Sequence, residues 1–231
     1  MAEIKPYRSK KARYGGGTIM KAYIFVGGRV AKNAVSIPPK DIDVCIAADS
    51  GFDNAVLLGL GERIDKLVGD FDSIKARKFP EVTDVVRVPA EKDLTDTQIA
   101  VSMALDYAPD EVEIIGGLSG RLDHTLANLS ILEFLADNGL RASICDGYNR
   151  VRFLRRSSLT LTKSEYKYFS LLCIGEKASG VSIQGAKYPL KKAKLSRDLQ
   201  YAVSNEVTDR RAIVSVKKGS LFVIESMDRQ F

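Results

Sequence analysis

The sequence predicts an α/β domain with a mainly parallel, Rossmann-like sheet, followed by an all-β domain of sandwich type. Three observations predict it. From residue 20 to about residue 147, short β-branched runs alternate with segments of helical apolar spacing. Beyond Arg150 the apolar period falls to two. The acidic and glycine residues of the first region gather just after its strands, at what would be one edge of the sheet. Residues 1–19 read as a disordered leader, 20–150 as the α/β domain and 151–231 as the sandwich.

In order along the first domain, Tyr23–Val26, Val44–Ala48, Lys66–Val68, Val85–Val88, Val112–Ile115 and Ala142–Cys145 are the short apolar runs expected of strands. Between them, Asp53–Leu60 and Thr95–Tyr107 have helical spacing, and His124–Asn138 stops at Asn138-Gly139, a good helix terminator. In the second domain, Ser157–Thr162, Tyr166–Ile174, Val181–Ile183, Ala212–Val216 and Leu221–Glu225 read as strands, punctuated by Gly175-Glu176 and Lys218-Gly219. Its roughly 80 residues make only a marginal core, so it is expected to lean on the first domain or on a second subunit.

An apolar fraction of 45% and a charged fraction of 28% are those of an ordinary globular protein. The formal charge is +6, and residues 1–20 hold Lys5, Arg8, Lys10, Lys11 and Arg13 against Glu3. The basicity thus reads as a property of the leader, which argues against a nucleic-acid partner. No run reaches the length of a membrane span, and the leader lacks the apolar core of a secretion signal, so a cytoplasmic protein is expected. Cys45, Cys145 and Cys173 are far apart, each in an apolar run, and read as reduced core cysteines. A single histidine, His124, excludes two-histidine metal sites and mechanisms.

Three polar clusters carry the candidate chemistry. Gly69-Asp70-Phe71-Asp72-Ser73 puts two carboxylates where a strand spills into a loop. Oxygen ligands of this kind suit Mg²⁺, although they could equally cap a helix beginning near Ser73. Lys92-Asp93-Leu94-Thr95-Asp96 precedes an apolar helix. Thr95 or Asp93 would be its cap, and the same terminus would attract phosphate, with Lys92 to neutralise charge. Arg121, Asp123 and His124 follow the glycine-rich Gly116–Gly120 and open another helix, with Asn128 expected on the face of Asp123 and His124. Arg121 could fork onto a phosphate and Asp123 accept a hydrogen bond from a substrate, or the two could simply pair with each other. There is no phosphate loop ending in Gly-Lys-Ser/Thr and no protein-kinase motif, so any ATP site uses another architecture.

Taken in order, Ala48-Asp49-Ser50-Gly51, the three clusters, Ala127-Asn128, Lys187-Tyr188-Pro189-Leu190 and Ser204-Asn205-Glu206 resemble the thiamine pyrophosphokinase family over roughly residues 20–230. The resemblance implies a homodimer with active sites between subunits, and transfer of a pyrophosphoryl group from ATP to the thiamine hydroxyl, releasing AMP. It implies that Asp70, Asp72 and Asp96, with Asp93, hold Mg²⁺, and that Asp49, Ser73, Lys92, Thr95 and Arg121 position the nucleotide and its phosphates. Asp123, with His124 and Asn128, would border the substrate, and Ser204 and Asn205 would line the thiamine pocket. The sequence departs from the family's pattern in this loop: Gln200-Tyr201-Ala202-Val203 stands where relatives often carry a glycine, the chain has no tryptophan to stack on the thiamine ring, and Val207 offers no aromatic face. Two other readings compete: a metal-dependent nucleotide phosphohydrolase using Asp70 and Asp72, and a non-catalytic nucleotide- or thiamine-sensing module.

Overall fold

The structure, a computed structural model, describes residues 19–32, 44–72, 74, 84–89 and 93–228. The chain divides into two compact units, Met1–Gly147 and Tyr148–Phe231.

In the first unit, β1 (Lys21–Phe25), β2 (Val44–Ala48), β3 (Lys66–Gly69), β4 (Asp84–Arg87), β5 (Glu111–Ile115) and β6 (Arg141–Cys145) pair in parallel in the order β4-β3-β2-β1-β5-β6. Every residue of β2 is buried, as a central strand covered on both faces requires, whereas β4 is largely exposed. The helices α1 (Gly51–Leu57) and α2 (Asp96–Leu105) pack on β1 and β2, and α3 (Leu122–Asp137) packs on β6. Helix α1 begins two residues before its apolar spacing suggests, and glycine is required at its first position, where a Cβ would come 2.1 Å from the Phe25 carbonyl oxygen. Thr95 caps α2 in a capping box with Gln98, and Gly139, at φ +77°, follows the end of α3 as its sequence foretells.

The second unit is all antiparallel. β7 (Asn149–Arg155), β13 (Ser220–Ser226) and β9 (Tyr168–Cys173) pair in that order, and β11 (Leu190–Ser196), β10 (Lys177–Gln184), β12 (Arg211–Ser215) and β8 (Ser158–Thr162) form a separate four-stranded sheet. Leu154, Phe169, Leu171, Leu221 and Val223 of the first set and Leu161, Val181, Ile183, Leu195 and Val214 of the second belong to one buried cluster.

Two of these strands escaped the sequence reading. β11 reads Leu-Lys-Lys-Ala-Lys-Leu-Ser and lies at a sheet edge, where lysines guard against further pairing and mask the apolar alternation. β7 carries Arg150, Arg152 and Arg155 between its apolar residues. Arg152 pairs with the buried Glu225 of β13, and the Arg155 guanidinium lies 4.9 Å from the Phe153 ring centroid.

The charge also divides differently from expectation. Residues 21–147 hold 13 lysines and arginines against 21 acids, a formal −8, and residues 148–231 hold 17 against 7, a formal +10. Basicity is therefore not confined to the leader, and the acids concentrate in the parallel-sheet unit. Cys45, Cys145 and Cys173 are free and buried. Among the described residues, no helix is long and apolar enough to cross a membrane.

Candidate active site

A wholly parallel arrangement of β1 to β6 brings all their carboxyl ends to one edge, which is why the post-strand polar residues gather there. The chain moves outward from β1 to β4 and then returns to place β5 on β1's other side. That reversal creates a switch point between β1 and β5, the usual place for a ligand crevice in such a sheet.

Two glycine turns sit at the switch point and are tied together. The Gly117 N–H donates to the Gly27 carbonyl at 2.8 Å, and the Arg29 N–H donates to Ser119 Oγ at 2.7 Å. Gly116, at φ +100°, has no room for a side chain, since a Cβ would lie 2.5 Å from the Val26 carbonyl oxygen. Two buried asparagines hold the turns from beneath. Asn54 Nδ2 donates to the Val26 and Gly28 carbonyls, and Asn128 Nδ2 donates to that of Gly117 at 3.2 Å. Asn128 is thus turned inward, whereas Asp123 and His124 are exposed. Asn54 was not singled out by its sequence; beside Asp53 it reads as an ordinary polar residue of the first helical turn.

One strand pair further along, three carboxylates converge. Ala48 and Val68 are partners in the parallel register of β2 and β3, so Asp49 and Gly69 follow side by side. Oxygens of Asp49, Asp70 and Asp72 all lie within 4.8 Å of one another. Asp49 adopts φ +47° and its Oδ1 is shut off from solvent, while Phe71, at φ +68°, turns the chain so that the Asp72 N–H donates to Asp70 Oδ1 at 3.3 Å. Glycine at 69 permits the approach, because a Cβ there would stand 3.1 Å from Asp49 Cβ. The sequence paired Asp70 with Asp72; that Asp49 joins them is visible only in the register of adjacent strands. Asp93 precedes the cap of α2 and Asp96 is its first residue, and neither belongs to the three-carboxylate group. Ser73 and Lys92 lie outside the described residues.

Arg121 and Asp123 pair with each other. The guanidinium donates through Nε at 3.2 Å and Nη2 at 2.6 Å to the two carboxylate oxygens, and both side chains are exposed. The Arg121 hydrogen bond holds the Asp123 carboxyl below the usual aspartate range, aided by the His124 backbone N–H. A phosphate taking up Arg121 would have to compete with Asp123 for the same fork.

In the second unit, Ser204, at φ +54°, is exposed and its N–H donates to Ser170 Oγ at 3.0 Å. Asn205 is buried, with its side chain committed to the backbone of Tyr188 and Glu206.

The thiamin pyrophosphokinase catalytic-domain model matches residues 39–144, and the family's vitamin B1 binding-domain model matches residues 156–221. A Bacillus subtilis protein named thiamine pyrophosphokinase is 31% identical over 188 residues, covering 79% of this chain and 87% of the relative. The chain belongs to the thiamine pyrophosphokinase family. Solved structures from that family are similar over most of the chain. The thiamine pyrophosphokinase of Bacillus subtilis superposes with a TM-score of 0.80 at 25% identity, over 90% of this chain and 100% of its own. That of Geobacillus thermodenitrificans gives 0.78 at 27%, over 91% and 99%. The catalytic-domain match spans all three converging carboxylates, and the vitamin-binding match spans Ser204, Asn205 and Glu206.

Proposed function

We propose that this chain is a thiamine pyrophosphokinase that transfers the pyrophosphoryl group of ATP to the hydroxyl of thiamine in an Mg²⁺-dependent reaction, giving thiamine diphosphate and AMP. The convergence of Asp49, Asp70 and Asp72 at the carboxyl edge of the sheet, in a chain of this family, carries the reading. Three carboxylates are an all-oxygen donor set of the kind hard divalent cations take. Asp70 and Asp72 would hold Mg²⁺ with Asp49, and Asp96 and Asp93 would complete the set from the start of α2. When bound, the metal lowers the charge repulsion between the triphosphate and an incoming alcohol.

The remaining work falls to positioning. The interlocked glycine turns offer the nucleotide a rigid backbone at the switch point, and Thr95, Lys92, Ser73 and Arg121 would orient its phosphates. Asp123, beside His124, would border the substrate hydroxyl; either Asp123 or Asp72 would accept its proton. Ser204 and Asn205 would line the thiamine pocket, Asn205 by fixing its neighbours. We read the first unit as Rossmann-like from its strand order and the second as a sandwich from its shared core. We further read the active form as a cytoplasmic homodimer, a state for which the buried free cysteines suit a reducing compartment.

Purified protein supplied with ATP, Mg²⁺ and thiamine should form AMP and thiamine diphosphate together, and no AMP without thiamine. Phosphate release without thiamine would instead identify a phosphohydrolase, and binding without products a sensing module.

A further inference from the structure

Phe71 stands between the two carboxylates of the turn after β3, in a backbone conformation that its side chain resists. At φ +68° it occupies the left-handed region, which bulky L residues rarely enter. The turn so made sets the Asp72 N–H toward Asp70 Oδ1 at 3.3 Å and leaves oxygens of Asp49, Asp70 and Asp72 within 4.8 Å of one another. An extended backbone would instead separate residues 70 and 72 by about 6.6 Å along the strand, so the turn is what draws them together. Something has to favour it over the extended alternative.

Arg87, the last residue of β4, reaches this turn from the neighbouring strand. It is the parallel-register partner of Gly69, and the Val88 N–H donates to the Gly69 carbonyl at 3.1 Å, so the two strands are tied where the turn begins. From that anchor the Arg87 guanidinium carbon lies 5.0 Å from the Phe71 ring centroid, within the range of a cation–π contact. Arg87 is exposed and Phe71 half-buried, on a strand at the sheet's edge, so the contact adds little to the core. Its effect is local: it favours the arrangement in which the ring faces β4, the one that accompanies the left-handed backbone of Phe71.

We propose that Arg87 is a positioning residue for the metal site: by holding the Phe71 ring against the end of β4, it stabilises the turn that presents Asp70 and Asp72 to Asp49. The inference rests on the reading of these carboxylates as metal ligands. It also predicts a sign opposite to that of simple charge. A guanidinium near a cation site repels the cation, so its removal should tighten metal binding by charge alone; if Arg87 acts through the ring, its removal loosens the ligands and weakens binding.

Mn²⁺ titration of the full chain, followed by electron paramagnetic resonance, reads this without turnover. Arg87→Ala should weaken Mn²⁺ binding by about three- to fivefold. Phe71→Leu should weaken it as well, and adding Arg87→Ala to Phe71→Leu should cause no further loss, because the guanidinium then has no ring to hold. Phe71→Tyr keeps the ring and should bind as wild type does. In the metal-free chain, the amides of Phe71 and Asp72 should exchange with solvent faster in Arg87→Ala than in wild type. If wild type binds no Mn²⁺, the metal reading fails and this inference with it. If wild type binds, unchanged or tighter binding by Arg87→Ala, or single losses that multiply in the double variant, would overturn the proposal and leave the metal reading standing. Should Arg87→Ala prove poorly folded, Arg87→Gln removes the charge and keeps most of the stem; it should show the same loss, and wild-type affinity in it would count equally against the proposal.

Discussion

Asn54 and Gly28 are joined by a side-chain hydrogen bond of 2.9 Å that carries an amide from α1 into the turn after β1, and the same nitrogen reaches the Val26 carbonyl at 2.7 Å. Both amide protons are thereby spent on carbonyls flanking Gly27, whose own carbonyl receives the Gly117 N–H. Replacing Asn54 by Leu removes both donors and strands a buried carbonyl, a loss of about 2 kcal/mol that urea unfolding should register. Below its unfolding midpoint, the variant should also bind ATP more weakly, through slack in the paired glycine turns. An unchanged ATP affinity would separate the turns from nucleotide binding.

The three-carboxylate group makes a sharper claim about turnover. Asp70→Asn exchanges a charged oxygen for a neutral amide among oxygens that lie within 4.8 Å of one another. Turnover should fall by about 10³-fold while the circular dichroism spectrum stays that of wild type. Asp96→Asn is expected to act alike, and near-normal turnover in either variant would remove that residue from the metal site. Mn²⁺ titration followed by electron paramagnetic resonance should show weaker binding for Asp49→Asn, reading Asp49's part independently of catalysis.

Gly69 tests the same group by shape instead of charge. The Cβ introduced by Gly69→Ala would stand 3.1 Å from Asp49 Cβ and 3.2 Å from its Cα, so the backbone after β2 must yield. We expect a destabilisation of about 1–3 kcal/mol in urea together with weaker Mn²⁺ binding. Full metal affinity in this variant would mean that Asp49 can move without consequence.

Thr95 serves as the cap of α2, its Oγ1 accepting the Gln98 N–H at 3.2 Å while Gln98 Oε1 accepts the Thr95 N–H at 2.9 Å. Thr95→Ala should lower stability by about 1 kcal/mol and Thr95→Ser should recover most of it. If the Thr95 hydroxyl also meets phosphate, the Ala variant will show a raised KM for ATP at temperatures where it is fully folded.

Cys45 sets a pH expectation. Burial, with a further contribution from the Asp65 charge, pushes its thiol from 9.0 up to about 12. An unfolded chain loses this proton near pH 9 and the folded one does not, so the stability linked to Cys45 is intact below pH 9 and drains away between there and about 12. Urea midpoints measured across that range should decline, and less steeply for Cys45→Ala. Thiol reagents at neutral pH should leave Cys45 unmodified until the chain unfolds.

Much of the molecule was legible in one dimension because its signals are local. The β-branched runs, the Asn138-Gly139 stop and the Thr95 cap each depend on residues within a turn of one another, and the ordered motifs from Asp49 to Asn205 pointed to the family before any geometry was known. Lysines in β11 and arginines in β7 hid two strands, since alternation cannot be seen where the exposed edge and an internal ion pair are both built from long cationic side chains. Only the tertiary structure decided which separated residues meet. Parallel register set Asp49 beside Gly69 and so beside Asp70 and Asp72, the switch in strand order set Gly27 against Gly117, and a buried amide set Tyr188 beside Glu206. Local propensity fixes the elements, but contacts between residues tens of positions apart follow from strand order and register, which the whole core selects together.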